Sequence, residues 1–403
     1  MVSVNPDLAR WRADTPGCLN RIHFNNAGAS LMPSPVRAAI DTHIALESAI
    51  GGYEAADLRA AEVEQVYRDV ASLVGAGPQN IAIGGSATAA FSQCLSTIDF
   101  SPGDVIITSR CDYTSYQIQY LALARRLGVL VLHAADLPEG GIDPASVREL
   151  LSTPRVRLVS VSWVPTNSGL VQDVAGVGAV CAAAGVLCHV DACQAVGQIP
   201  IDVDALQCDY LSATGRKFLR GPRGIGFLYA SDRAMARGDF PLIIGMRGAT
   251  WSARDQFALA PTARRFEVDE FPYALVLGLG AAASYANAVG VAEAGRLAFE
   301  LAGRLRAGLA GIPGVRVLDR GRAPCAIVTA DVAGHDGPEI KAHLAAHGVN
   351  CTVSLRWYGQ YDFGEKGVDG AIRLSPHYFN TVEEVDRVVE LIASLAGGNP
   401  ASK

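Results

Sequence analysis

From about Gly75 to Ala230 the chain sets down short apolar runs one after another, several of them separated by stretches of helical spacing. IAIGG from Ile81, DVIITS from Asp104, VLVLHAA from Val129, RLVSVSW from Arg157, VLCHVDA from Val186, YLSATG from Tyr210 and IGFLYA from Ile225 read as strands. Tyr116 to Leu127 and Asp173 to Ala184 read as helices between them. Strands alternating with helices predict an α/β fold with a mostly parallel seven-stranded sheet covered on both faces. Ligands of such sheets bind at the carboxyl ends of the strands. After about Phe240 the texture changes. A loop-rich stretch, GMRGATWSARDQFALAPTARRFE, leads into a helix through LGLGAAASYANAVG, and from Arg304 helix and strand alternate again. This predicts a smaller α+β C-terminal domain: residues 21–260 form the large domain, 261–403 the small one, and 1–20 pack with the small one.

Half of the residues are hydrophobic and 18% are charged, which excludes a disordered chain. A net charge of -6 without a Lys/Arg-rich run gives nucleic acid no footprint, so a small-molecule partner is expected. MVSVNPDLARWRAD lacks the regions of a signal peptide, and no apolar window is long enough to span a bilayer. The expectation is a cytoplasmic protein without membrane contact. The nine cysteines are scattered with no CxxC pair and read as reduced and buried. Cys188, His189, Asp191 and Cys193 sit on one strand, where successive side chains face opposite ways, so no metal site is expected.

Two residues raise a chemical question. Lys217 follows the strand YLSATG and precedes the glycine-rich FLRGPRGIGFLY, while Asp191 ends another apolar strand. A lysine shielded from water has a lowered pKa and can form a Schiff base. A carboxylate beside it is what pyridoxal phosphate needs to keep its pyridine nitrogen protonated. The plain alternative is an Asp–Lys ion pair at a strand end. GGSATAAF, from Gly84 to Phe91, places Ser86, Ala87 and Thr88 where a strand meets a helix, a phosphate-binding arrangement that can equally be a simple turn and cap. Thr214 and Arg216 flank the lysine and offer the same phosphate a hydroxyl and a guanidinium.

The ordered set GGSAT, DYTS, TNSG, DACQ, TGRK and IRLSPHYFNT resembles the class V aminotransferase family of fold type I pyridoxal-phosphate enzymes, from FNNAGAS at Phe24 to the final helix. The resemblance implies Lys217 as the Schiff-base lysine, Asp191 as the pyridinium partner and Gln194 at the phenolic oxygen. It places Asn167 near the ring and the substrate carboxylate, and Arg373 on that carboxylate. It also implies a homodimer with the active site at the interface, to which the loop from Met246 to Trp251 contributes.

There are departures. Tyr113 stands where many relatives have a stacking histidine, and Arg216 replaces the histidine of a His-Lys pair. EVDEFPY stands where relatives have a threonine reaching the partner's phosphate. Desulfurases of the family carry a mobile cysteine on a loop before the carboxylate-binding arginine. None lies between Thr352 and Ile372, and Cys351 in VNCTVS reads as a core thiol. The loop instead carries Arg356, Trp357, Tyr358 and Tyr361, with Arg356 and Tyr358 expected as substrate-binding groups. The lack of a loop cysteine disfavours a cysteine desulfurase. GGYEAAD from Gly51, Tyr113 and the Arg-Lys pair resemble hercynylcysteine sulfoxide lyases. The expectation is a C–S lyase acting by β-elimination on a cysteine-derived conjugate or sulfoxide, with Lys217 as base. An epimerase with Tyr113 or Tyr358 as second acid, and an aminotransferase, are the alternatives. A non-enzymatic binding protein fits poorly with an intact Lys217 and Asp191. GGSATAA does not supply the G-x-G-x-x-G of a nicotinamide enzyme.

Overall fold

The computed structural model describes residues 7–397, so the first six residues of the N-terminal segment and the last six of the C-terminal one lie outside it. The apolar runs form the expected sheet: β1 (Ile81–Gly84), β2 (Val105–Thr108), β3 (Leu130–His133), β4 (Val156–Ser162), β5 (Leu187–Asp191), β6 (Tyr210–Thr214) and β7 (Gly226–Ala230), in the order β1-β7-β6-β5-β4-β2-β3. All pairs are parallel except those of β7, which runs against both β6 and β1. Two reversals cancel, so β1 still points the same way as β6. The carboxyl ends of β1, β2, β4, β5 and β6 therefore open on one edge.

Side chains alternate between the two faces, and two separate apolar layers result. Ile106 and Leu158 join Phe91, Tyr116 and Tyr120 on one face. Their strand neighbours Val105, Ile107, Val159 and Val161 join the main core on the other. Around the sheet lie α1 (Ser34–Ile50), α2 (Ala60–Val74), α3 (Ala87–Leu95), α4 (Thr114–Leu127) and α5 (Val174–Ala184), with α6 (Tyr273–Val289) laid along α1 and α2. Then comes α7 (Val291–Ala310). Among the described residues no single helix is long and apolar enough to cross a membrane.

A hairpin, β8 (Ala249–Ala253) and β9 (Gln256–Leu259), precedes a second, antiparallel sheet of β10 (Val315–Val317), β11 (Val328–Val332), β12 (Thr352–Leu355) and β13 (Gly370–Leu374), ordered β10-β11-β13-β12. Between β12 and β13 lies a short helix, α8 (Gln360–Lys366). The chain from Ile22 to Asn25 runs beside Val349, Asn350 and Ser375, which joins the N-terminal segment to this sheet.

Two features hold the turn that carries Lys217. Gly197, at φ +91°, lies so close to the Phe218 backbone that a Cβ there would collide with it. Arg220, fully buried and at φ +64°, closes the turn by donating its backbone N–H to the Lys217 carbonyl at 2.8 Å. Its guanidinium donates to Leu31 O at 3.0 Å, to the Tyr378 hydroxyl at 2.6 Å and to Thr15 Oγ1 at 2.5 Å. It also lies 4.3 Å from the Phe379 ring centre. One cation thus ties the lysine turn to both ends of the chain.

Candidate active site

The turn after β6 presents Lys217 inward, 6% exposed, with Nζ 5.7 Å from the centre of the Tyr113 ring. Among the described residues no carboxylate is within ion-pair distance of it, so the plain Asp–Lys pair is not formed. Burial pushes its pKa down, and Arg216 and Arg373 push the same way against Cys193 and Asp191.

Asp191, at the end of β5, accepts the Cys193 N–H on Oδ1 at 2.9 Å. Its Oδ2 lies 3.3 Å from Ser162 Oγ. That hydroxyl has one proton and lies closer, 2.6 Å, to Asp112 Oδ1. Asp112 takes the proton, and Asp191 Oδ2 keeps a lone pair for another donor. Asp112 also accepts the Tyr113 N–H and the Thr108 hydroxyl, each at 2.7 Å, with Tyr120 OH 3.0 Å away. It thereby fixes the backbone of Tyr113 and, through Ser162, the free edge of Asp191.

Burial raises the Asp112 pKa to about 6, against its hydrogen bonds and with help from Asp191. A carboxyl raised in the folded state binds more protons there than unfolded, so its cost to stability is absent at low pH and grows as pH rises from the ordinary carboxylate range to about 6. The shift corresponds to a cost on the order of 3 kcal/mol at neutral pH. In urea titrations from pH 4 to 7, Asp112→Asn is expected to lack the part of the slope that wild type shows. Parallel pH profiles for the two proteins would refute this.

The remaining candidates come from both sheets. Gln194 donates from Nε2 to Ala27 O at 3.0 Å and to Thr166 Oγ1 at 3.3 Å, and its Oε1 is buried without a partner. Arg373 on β13 donates from Nη1 to Thr166 O at 2.9 Å and Thr166 Oγ1 at 2.7 Å, while its buried Nε has no partner. Burial, then Arg216, pushes its pKa down to about 10, with Tyr358 opposing. Tyr358 is therefore near Arg373. Arg356 is not gathered in: it is half exposed and paired with Asp369 at 3.3 Å. Asn167 donates to Asp362 Oδ2 at 2.8 Å, and Lys366 approaches the same oxygen at 2.7 Å.

At the edge beside β1, Ser86 caps α3 by accepting the Ala89 N–H at 3.1 Å, with Ala87 and Thr88 in the first turn. Thr214 turns its hydroxyl to Ile225 O at 3.4 Å. Arg216 donates to the Gly28 carbonyl, and its pKa is lowered by burial and by Arg223. Arg223 thus acts on Arg216, and Arg216 in turn acts on both Lys217 and Arg373. Sequence reasoning missed Asp112, Ser162, Asp362 and Arg223. Asp112 stood in the quoted DYTS, directly before Tyr113.

The family model "Aminotransferase class-V" matches residues 22–388. A probable cysteine desulfurase of Methanothermobacter thermautotrophicus is 27% identical over 398 residues, 96% of this chain and 97% of the relative. One from Mycobacterium leprae is 28% identical over 419 residues, 96% of each. Among solved structures, the apo cysteine desulfurase of Thermococcus onnurineus NA1 superposes with a TM-score of 0.88 at 25% identity, covering 99% of this chain and 100% of that one. A lysine mutant of C-DES with glycine covalently linked to the PLP cofactor superposes at 0.85, also at 25% identity, covering 95% and 98%.

These relatives overturn the expectation of a β-eliminating C–S lyase for cysteine conjugates or sulfoxides, and with it the case against a desulfurase. The physical error was to let one missing loop thiol decide which bond is cut. A thiol on that loop concerns where the sulfur goes next. Lys217, Asp191 and Arg373, to which the resemblance assigns the carbon chemistry, are all present and buried. The chain belongs to the aminotransferase class-V family of pyridoxal-phosphate-dependent enzymes.

Proposed function

We propose that this enzyme removes sulfur from L-cysteine and leaves alanine. The observation that carries the reading is the pairing of Lys217, a buried amine with no carboxylate in ion-pair reach among the described residues, with Arg373, a buried guanidinium whose Nε has no partner among them. Together they suit the Cα and the carboxylate of one α-amino acid. The names of the full-length relatives add cysteine as the amino acid.

The residues fit pyridoxal phosphate. Asp191 offers a free acceptor edge to the ring nitrogen, and Gln194 Oε1 and Arg373 Nε are buried polar atoms in need of partners. Arg216 brings a positive charge that suits the cofactor's phosphate. Ser86, Ala87, Thr88, Thr214 and Arg216 would hold the phosphate, Gln194 the phenolic oxygen, Tyr113 a ring face and Lys217 the aldehyde. Bound there, the cofactor supplies an electron sink for the pair released when the Cα–H bond breaks. Lys217, whose pKa burial lowers, takes the Cα proton and returns one to carbon. Arg373 and Asn167 hold the carboxylate, and Tyr358 lies beside Arg373.

The reading includes a homodimer. Leu242, Ile243, Met246 and Trp251 are 72%, 77%, 81% and 80% exposed in one segment, apolar surface of the kind that marks an interface. Sedimentation is expected to show two chains per particle. For the reaction, holoenzyme supplied with L-cysteine should form alanine. Pyruvate and ammonia without alanine would overturn the proposal.

A further inference from the structure

We infer that the sulfur acceptor is a diffusible low-molecular-weight thiol and not a cysteine of the chain, an inference that rests on the desulfurase reading above. All nine cysteines are described, and eight are buried. Cys94, Cys181, Cys188, Cys208 and Cys325 lie in the packed core at 0–3% exposure, and Cys351 is buried with them. The half-buried Cys18 packs in the N-terminal cluster with Trp11, Leu31 and Tyr378.

Two cysteines remain near the chemistry. Cys193 is close enough to Lys217 and Asp191 to act on both electrostatically, and it is 7% exposed. Cys111 is close enough to Asp362 and Lys366 to feel both charges, and it is 6% exposed. The thiolate is the nucleophile, and burial raises both thiols away from it. Neither has the solvent access needed to hand sulfur on.

The segment between β12 and β13 does not supply a swinging arm either. It contains no cysteine and is fastened at four points to residues on and around the large sheet. Thr114 Oγ1 donates to Tyr358 O at 2.6 Å, and Asn167 donates to Asp362 at 2.8 Å. The Tyr361 ring centre lies 4.6 Å from that of His133, and Arg110 pairs with Glu365. Gly359 packs so tightly on the Asn167 amide that a Cβ would collide with it.

An outside thiol completes the reaction with atoms and electrons in balance: L-cysteine + RSH → L-alanine + RSSH. The acceptor thiolate forms the S–S bond as the Cβ–S bond breaks. Cβ keeps the electron pair, takes a proton and is reduced, while the transferred sulfur is oxidised by the same two electrons. No other oxidant or reductant enters.

The test uses holoenzyme in excess over L-cysteine, so that substrate cannot act as its own acceptor, with and without millimolar 2-mercaptoethanol. Alanine should form at least about tenfold faster with the added thiol, matched by mercaptoethanol persulfide, with no sulfur atom added to the protein mass. Equal rates without thiol and one added sulfur on the protein, lost in Cys18→Ser, Cys111→Ser or Cys193→Ser, would overturn the inference and leave the desulfurase reading standing. Absence of alanine under both conditions would overturn the reading itself, and the inference with it.

Discussion

Lys217→Ala is expected to lower turnover by about 10³- to 10⁴-fold, the upper range of what a positioned proton-transfer group contributes. The visible absorbance band of lysine-bound cofactor should vanish with it. The companion variant Lys217→Met separates function from folding. Because burial lowers the folded-state pKa of this amine, the unfolded chain binds its proton more tightly. Between the lowered value and the ordinary lysine value, the unfolded state holds more protons, so this group's contribution to stability rises with pH. Below both values its cost to folding is at its full size. At neutral pH, apo Lys217→Met should therefore resist urea at least as well as apo wild type while being inactive. A variant that unfolds earlier and keeps turnover within tenfold of wild type would show Lys217 to be a structural residue.

The positions of Lys217 and Asp191 at strand ends were legible because β-branched, apolar runs such as VLCHVDA and YLSATG have one sensible reading, and all seven runs form strands of one sheet. Strand direction was less accessible. Only eleven residues separate Thr214 from Gly226, too few for a crossover helix, and β7 accordingly returns antiparallel. What periodicity cannot supply is which strands adjoin. Asp112 reaches Asp191 only because β4 pairs with β5, which sets Ser162 opposite Asp191 while Ser162 also meets the chain after β2. The Asn167–Asp362 contact joins the two sheets across 195 positions, with no local signal at either end. The chemistry was misjudged for a different reason. A residue's absence from one loop was given more weight than the set of buried charges around Lys217.

The second large effect belongs to Arg373. Its Nη1 is anchored twice on Thr166, and Nη2 reaches Asn25 Oδ1 at 3.4 Å, so the guanidinium is held in place before any ligand arrives. Burial and Arg216 depress its pKa to about 10, which means the protein itself compensates the charge poorly. A carboxylate supplies that compensation. Hydrogen bonds to charged groups are worth about 1.5–3 kcal/mol, so Arg373→Met should lower kcat/KM by about 10²-fold. Most of the loss should appear in KM, because the carboxylate is as charged in the ground state as in the transition state. Arg373→Lys restores the charge without the planar fork and should fall between the two. An unreactive amino-acid carboxylate should raise the melting temperature of wild type and leave that of Arg373→Met unmoved. If kcat fell with KM unchanged, the guanidinium would be acting on the bond-breaking step and not on the carboxylate, and the substrate would have to be placed in the site the other way round.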